Sequence, residues 1–133
     1  MTMKIPQGAL VVVADGGSAR VFTNVGDARA LSLKQEALLE GMNLDDDGPA
    51  GSMPTESSAS QLDEATFAKQ LAQGLNDGAL KNRYEHLVLI ADPQTLGRVR
   101  PLLHKEATQR LVGDLAKDYT NAPLETIERA LSA

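Results

Sequence analysis

The chain has 133 residues, 42% of them hydrophobic, with no cysteine, two Phe, two Tyr and no Trp, and a net charge of −5 at pH 7. This is the length of one domain with enough Leu, Val, Ile and Ala for a core. Disulfides, thiolate nucleophiles and cysteine-based zinc sites are excluded, as is an aromatic stacking platform for single-stranded nucleic acid. The acidity argues against a whole-surface affinity for phosphates.

Ala9 to Ala14 is an apolar run, the pattern of a strand buried on both faces. Asp15-Gly16-Gly17-Ser18 is a hairpin turn, in which the aspartate bonds its own downstream backbone. Ala19 to Asn24 alternates as a half-buried partner, Gly26-Asp27 turns again, and a third strand is expected over Ala30 to Gln35. Residues 41–60 then carry Asp45-Asp46-Asp47-Gly48-Pro49 and a Ser/Thr-rich tail with almost no large apolar residue, which predicts a flexible loop. Ser60-Gln-Leu-Asp63 resembles a capping box and opens a helix whose buried stripe is Phe67, Leu71 and Leu75, flanked by Ala68, Ala72 and Ala79.

Leu87 to Ala91 is a second apolar strand, and Asp92-Pro93 stops it and starts a helix. The carboxylate takes an orphan N–H at the cap, and proline at the first position loses no bond. Pro101 should kink this helix or end it early. Leu111 to Tyr119 alternates as a final strand, and Pro123 opens a last helix with the stripe Leu124, Ile127 and Leu131. The order β-β-β-(long loop)-α-β-α-β-α predicts an α/β domain over residues 1–133, a mixed sheet of about five strands with helices packed on it.

Charge is unevenly spread. Eight acids and no Lys or Arg lie from Glu36 to Glu64, whereas Lys81 to Lys117 carries seven bases against four acids. Arg98, Arg100, Lys105, Arg110 and Lys117 are therefore the candidate contacts for RNA or an acidic partner. Asp15, Asp92 and Asp118 fall near the ends of three predicted strands, where converging carboxylates would bind hard cations for phosphodiester hydrolysis. Each also has a plain structural reading as turn residue, helix cap or strand end. Asp45-Asp46-Asp47-Gly48 lacks the alternation and closing glutamate of a calcium loop. Gly16-Gly17-Ser18 matches no phosphate-loop fingerprint, and His86 and His104 stand outside any triad order. The N-terminal Met1-Thr-Met-Lys-Ile-Pro6 has no signal-peptide apolar region, and no run approaches the ~18 apolar residues of a membrane span. The expectation is a cytoplasmic chain without membrane contact.

Three blocks in order, Gly8-Ala-Leu-Val-Val-Val-Ala-Asp-Gly-Gly-Ser-Ala-Arg20, His86-Leu-Val-Leu-Ile-Ala-Asp-Pro-Gln-Thr-Leu-Gly97, and Lys117-Asp-Tyr-Thr120 with Pro123 and Ile127-Glu128, resemble the bacterial host-attachment protein family. That family is grouped with bacterial relatives of the archaeal and eukaryotic class-1 release factors and Pelota. The resemblance implies the RNase H-like arrangement of their middle domain. In release factors the loop after the early strands carries Gly-Gly-Gln, which promotes peptidyl-tRNA hydrolysis. No Gly-Gly-Gln occurs here, and residues 41–60 offer Gly48-Pro-Ala-Gly51-Ser52, acidic and without arginine. Such a loop repels tRNA and rRNA phosphates. The family's proline after the histidine of the central helix is also absent, with Lys105 in its place and Pro101 earlier.

The resulting expectation is a non-enzymatic, cofactor-free binding protein that associates with the ribosome or RNA. One alternative is a metal-dependent RNase H-like nuclease on Asp15, Asp92 and Asp118, or a release-factor-like hydrolase. The other is a protein-interaction module in host-cell attachment.

Overall fold

The computed structural model describes residues 5–27, 29–40 and 59–132, with the backbone alone at 39–40, 59–63 and 132. Its elements are β1 (Leu10–Ala14), β2 (Ser18–Asn24), β3 (Leu33–Glu40), α1 (Ala59–Leu80), β4 (Leu87–Ala91), α2 (Pro93–Val99), a 3₁₀ turn (Arg100–Leu102), α3 (Lys105–Gln109), β5 (Leu111–Ala116) and α4 (Leu124–Ser132). The sheet order is β3-β2-β1-β4-β5, with β2 antiparallel to both neighbours and β1, β4 and β5 mutually parallel. This is the mixed five-stranded α/β sheet that the element order predicts.

The two apolar runs are the central strands because both their faces are covered. Strand side chains alternate between faces, so Val12, Ala14, Leu87, Leu89 and Ala91 pack with Phe67, Leu71 and Leu75 of α1, Leu96 and Val99 of α2, and Ala107 of α3. Val11, Val13, Val88 and Ile90 point the other way and join Phe22, Leu33 and, from α4, Ile127 and Leu131. Each Val, Leu, Ile or Phe among them contributes roughly 1.5–3 kcal/mol on burial.

Both outer strands are irregular. The β2–β3 register shifts between Val21 and Phe22, leaving Glu36 as an extra residue. The β4–β5 register shifts between Leu87 and Val88, leaving Val112 as another. On the open edge of β3 the Leu33 N–H donates to Glu128 Oε2 of α4 at 2.8 Å. Bulges and a capped N–H both blunt an edge against adding a further strand.

Several element limits differ from the sequence reading. β3 begins at Leu33 and not Ala30, because Asp27 Oδ1 accepts from the N–H groups of Arg29 and Ala30 and prolongs the turn, and it runs past Gln35 to Glu40, paired with β2 as far as Ser18. The helix from Pro93 does end early, at Val99, with Pro101 in the 3₁₀ turn that follows, as expected of that proline. A short extra helix, α3, occupies Lys105–Gln109 with His104 as its cap, the Nδ1 accepting from the Glu106 N–H at 3.0 Å. β5 stops at Ala116, short of Tyr119. Residues 41–58, which carry most of the predicted loop, and the side chains of the predicted capping box lie outside the described residues.

Candidate functional site

Because β1, β4 and β5 are parallel, their C-terminal ends share one edge of the sheet, the edge where open α/β sheets bind ligands. Asp15 and Asp92 follow the last residues of β1 and β4 directly, and Asp118 lies two residues past β5. The structure brings two of the three together. The Thr120 hydroxyl, in a residue only 7% exposed, lies 3.0 Å from Asp15 Oδ2 and 2.6 Å from Asp118 Oδ1. A hydroxyl has one proton, so it donates to one carboxylate at a time. The other oxygen of Asp15 accepts from the N–H groups of Gly17 and Ser18, both at 2.9 Å, and from the Ser18 hydroxyl. Burial pushes the Asp15 pKa up, but these bonds, first the Gly17 N–H, outweigh it and hold the carboxyl below its ordinary 3.8.

Asp92 serves its own helix. Its Oδ2 accepts from the Thr95 N–H at 3.1 Å, while its Oδ1 is buried without a hydrogen-bond partner. Among the described residues, no group of three or more His, Cys, Asp or Glu side chains is arranged to hold a metal ion. The loop carrying Thr120 is fastened from below by Arg20, which donates to the carbonyls of Thr120 (3.1 Å) and Ala122 (2.7 Å) and lies 5.0 Å over the Phe22 ring. Sequence reading passed over Thr120 and Arg20, whose partners lie about a hundred residues away along the chain. No local signal marks such pairs.

The five basic candidates split by environment. Arg98 pairs with Glu64 at 3.2 Å and Arg100 with Asp114 at 3.5 Å. Arg110 is part of the scaffold: it donates to the Tyr84 carbonyl at 2.7 Å and to Asn82 Oδ1 at 3.0 Å, and it pairs with Glu106. Lys105 and Lys117 are exposed and make no ion pair among the described residues. Lys105 opens α3, and Lys117 directly follows β5. The basic strip of the sequence therefore divides into two exposed lysines without ion pairs and three arginines that already hold partners.

No helix of the described residues is long and apolar enough to cross a membrane. No curated protein matches the chain. Residues 8–131 match the family model of the bacterial archaeo-eukaryotic release factor family 12, which agrees with the release-factor side of the resemblance and does not carry the host-attachment name. The match runs from two residues before β1 into α4 and so takes in every strand and both covered faces. The chain belongs to the bacterial archaeo-eukaryotic release factor family 12.

Proposed function

We propose that this domain acts by binding, within the translation apparatus, to the ribosome or its RNA. Family membership over residues 8–131 carries the proposal. Lys105 and Lys117 offer unpaired charge, and Arg98 and Arg100 sit in partly exposed ion pairs. Such pairs are worth about 0.2–1 kcal/mol, so a phosphate competes for them readily. Arg110, held by the Tyr84 carbonyl, Asn82 and Glu106, has less charge to offer a ligand than the other four. The proposal requires a cytoplasmic chain.

Co-sedimentation with purified ribosomes at low and raised salt tests it. Phosphate contacts predict binding that weakens steeply with salt. Lys105→Glu with Lys117→Glu should weaken it further, and Arg98→Glu with Arg100→Glu should do so to a smaller extent. Absence of binding at low salt would overturn the proposal.

A further inference from the structure

Four large apolar side chains are exposed among the described residues: Val25, Leu38, Leu80 and Leu102. Val25 and Leu38 stand apart, in the turn after β2 and on the edge strand β3. Leu80 and Leu102, 55% and 45% exposed, lie on two segments that are fastened to each other. Asn76 of α1 does this: its Nδ2 donates to the Leu102 carbonyl at 3.0 Å and its Oδ1 accepts from the His104 N–H at 2.6 Å. The segment after α2 is thereby strapped along α1. Leu80 lies four residues beyond Asn76, on the same face, and helical side chains lean back toward the N-terminus. Its side chain therefore covers the ground beside the Asn76–Leu102 strap.

Pro101 decides which leucine faces outward. It breaks the helix into a 3₁₀ turn, and Leu103 then packs against the core while Leu102 is left out. Around the two leucines are exposed cations on both strapped segments: Lys81 and Arg83 after α1, and Lys105 at the start of α3. Of the nearby acids, Asp77 pairs with Lys81 at 3.2 Å and Glu106 with Arg110 at 3.6 Å, while Glu85, two residues after Arg83, is exposed and makes no ion pair among the described residues. Lys105 and Arg83 have no ion-pair partner among the described residues.

We infer that the Leu80–Leu102 face docks an acidic amphipathic segment of a partner protein, which lays two apolar side chains over the leucines and sets carboxylates against Lys105 and Arg83. Phosphate chemistry uses the cations but gains nothing from covering two leucines. A second copy of this chain would bring one basic rim against its twin across a two-fold axis, where like charges oppose the contact. An acidic helix satisfies both the apolar pair and the rim. The inference rests on the reading that the domain works by binding, and it adds a partner class and a surface to that reading.

The test is a titration of ¹⁵N-labelled full chain with three probes, followed by amide NMR. The probes are a helical peptide with leucines at i and i+4 and glutamates between them, the same peptide with lysines for the glutamates, and a single-stranded RNA dodecamer. The acidic peptide should shift the amides of residues 80–83 and 102–105. Leu80→Ser with Leu102→Ser, both at half-exposed positions that leave the fold intact, should weaken it roughly tenfold or more, as expected for loss of central anchors. Lys105→Glu should weaken it severalfold. The inference is overturned by no shift with the acidic peptide, by equal shifts with the basic one, by RNA alone moving these amides, or by concentration-dependent shifts without any probe. Ribosome co-sedimentation of the same wild-type protein separates the two readings. Retained ribosome binding with no peptide binding sinks only this inference, and the reverse pattern sinks only the translation proposal.

Discussion

Two polar clusters, at opposite ends of the sheet, do similar structural work with opposite hydrogen-bond balance. At one end Asn24, fully buried, ties the N-terminal segment and the β2–β3 turn together. Its Nδ2 donates to the carbonyls of Ile5 (2.9 Å) and Pro6 (3.2 Å), and its Oδ1 accepts from the N–H groups of Gly26 (3.0 Å) and Ser32 (3.1 Å). An amide carries both donors and acceptors, so every partner is matched. At the other end Asp15 and Asp118 share the single proton of the Thr120 hydroxyl. The first cluster is complete in itself. The second has more acceptors than donors and so responds to pH and to changes of charge.

The matched cluster should be the costlier to break. Asn24→Leu removes five hydrogen bonds, the longest a 3.5 Å donation from Nδ2 to the Asp27 carbonyl, and leaves backbone partners around a buried side chain unpaired, where each orphaned group costs about 1–3 kcal/mol. Part of that cost is relieved by water reaching the turn, so a loss of roughly 3 kcal/mol is expected, read as a lower midpoint in urea unfolding with an unchanged slope. Gly26→Ala should break the same turn by another route, because a Cβ there would collide with the Ala30 carbonyl. A change below 1 kcal/mol for Asn24→Leu would show that the turn is held by something other than this amide.

Tyr84 is a smaller instance of the matched kind. Its buried hydroxyl donates to the Leu75 carbonyl at 2.6 Å. Burial pushes its pKa up to about 12, against a smaller lowering by the Arg110 charge. The raised value means that the unfolded chain ionises first. Stability is therefore intact below pH 10 and falls as pH rises from 10 toward 12. Tyr84→Phe should cost about 1 kcal/mol at neutral pH, the typical net value of one hydrogen bond. It should also remove this alkaline slope from the unfolding free energy.

The contrast between the clusters also marks what a sequence can reveal. β4 and the start of α2 are legible because apolar runs, an Asp cap and a Pro at the first helical position act over neighbouring residues. Even the Asp15 turn is local, and its bonds to Gly17 and Ser18 follow the expected form. By contrast α3 has five residues and one buried side chain, Ala107, too few to show a period. β3 is largely exposed and carries a bulge at Glu36, so its alternation falls out of phase. The five basic candidates looked equivalent because sequence spacing shows charge but hides the partner: Glu64 for Arg98, Tyr84 and Asn82 for Arg110. Thr120 was invisible for the same reason, since Asp15 reaches it only through the fold.

The unmatched cluster gives the finest test, because its two carboxylates should respond differently to the same neutralising change. Asp15 accepts three bonds on Oδ1 besides its contact with Thr120, and its pKa is held low. Its stabilising contribution is thus present above about pH 4 and is lost as pH falls through its lowered folded-state value. Asp15→Asn should cost up to about 1 kcal/mol, since an amide oxygen is a weaker acceptor than a carboxylate, and it should flatten the acid limb of a stability–pH curve. Asp118 accepts from the Thr120 N–H at 3.1 Å and the Thr120 hydroxyl at 2.6 Å, in direct competition with Asp15 for the latter. Asp118→Asn retains an acceptor for the N–H, removes one of the two competing charges, and frees the hydroxyl to donate to Asp15. Its expected effect on stability at pH 7 is within about 0.5 kcal/mol of zero, with the Asp15 carboxyl held lower than in the parent chain. Asp15 side-chain NMR titration in the Asp118→Asn protein measures this directly. A rise in the Asp15 pKa would mean that Asp118 supports Asp15 instead of competing with it for the shared proton.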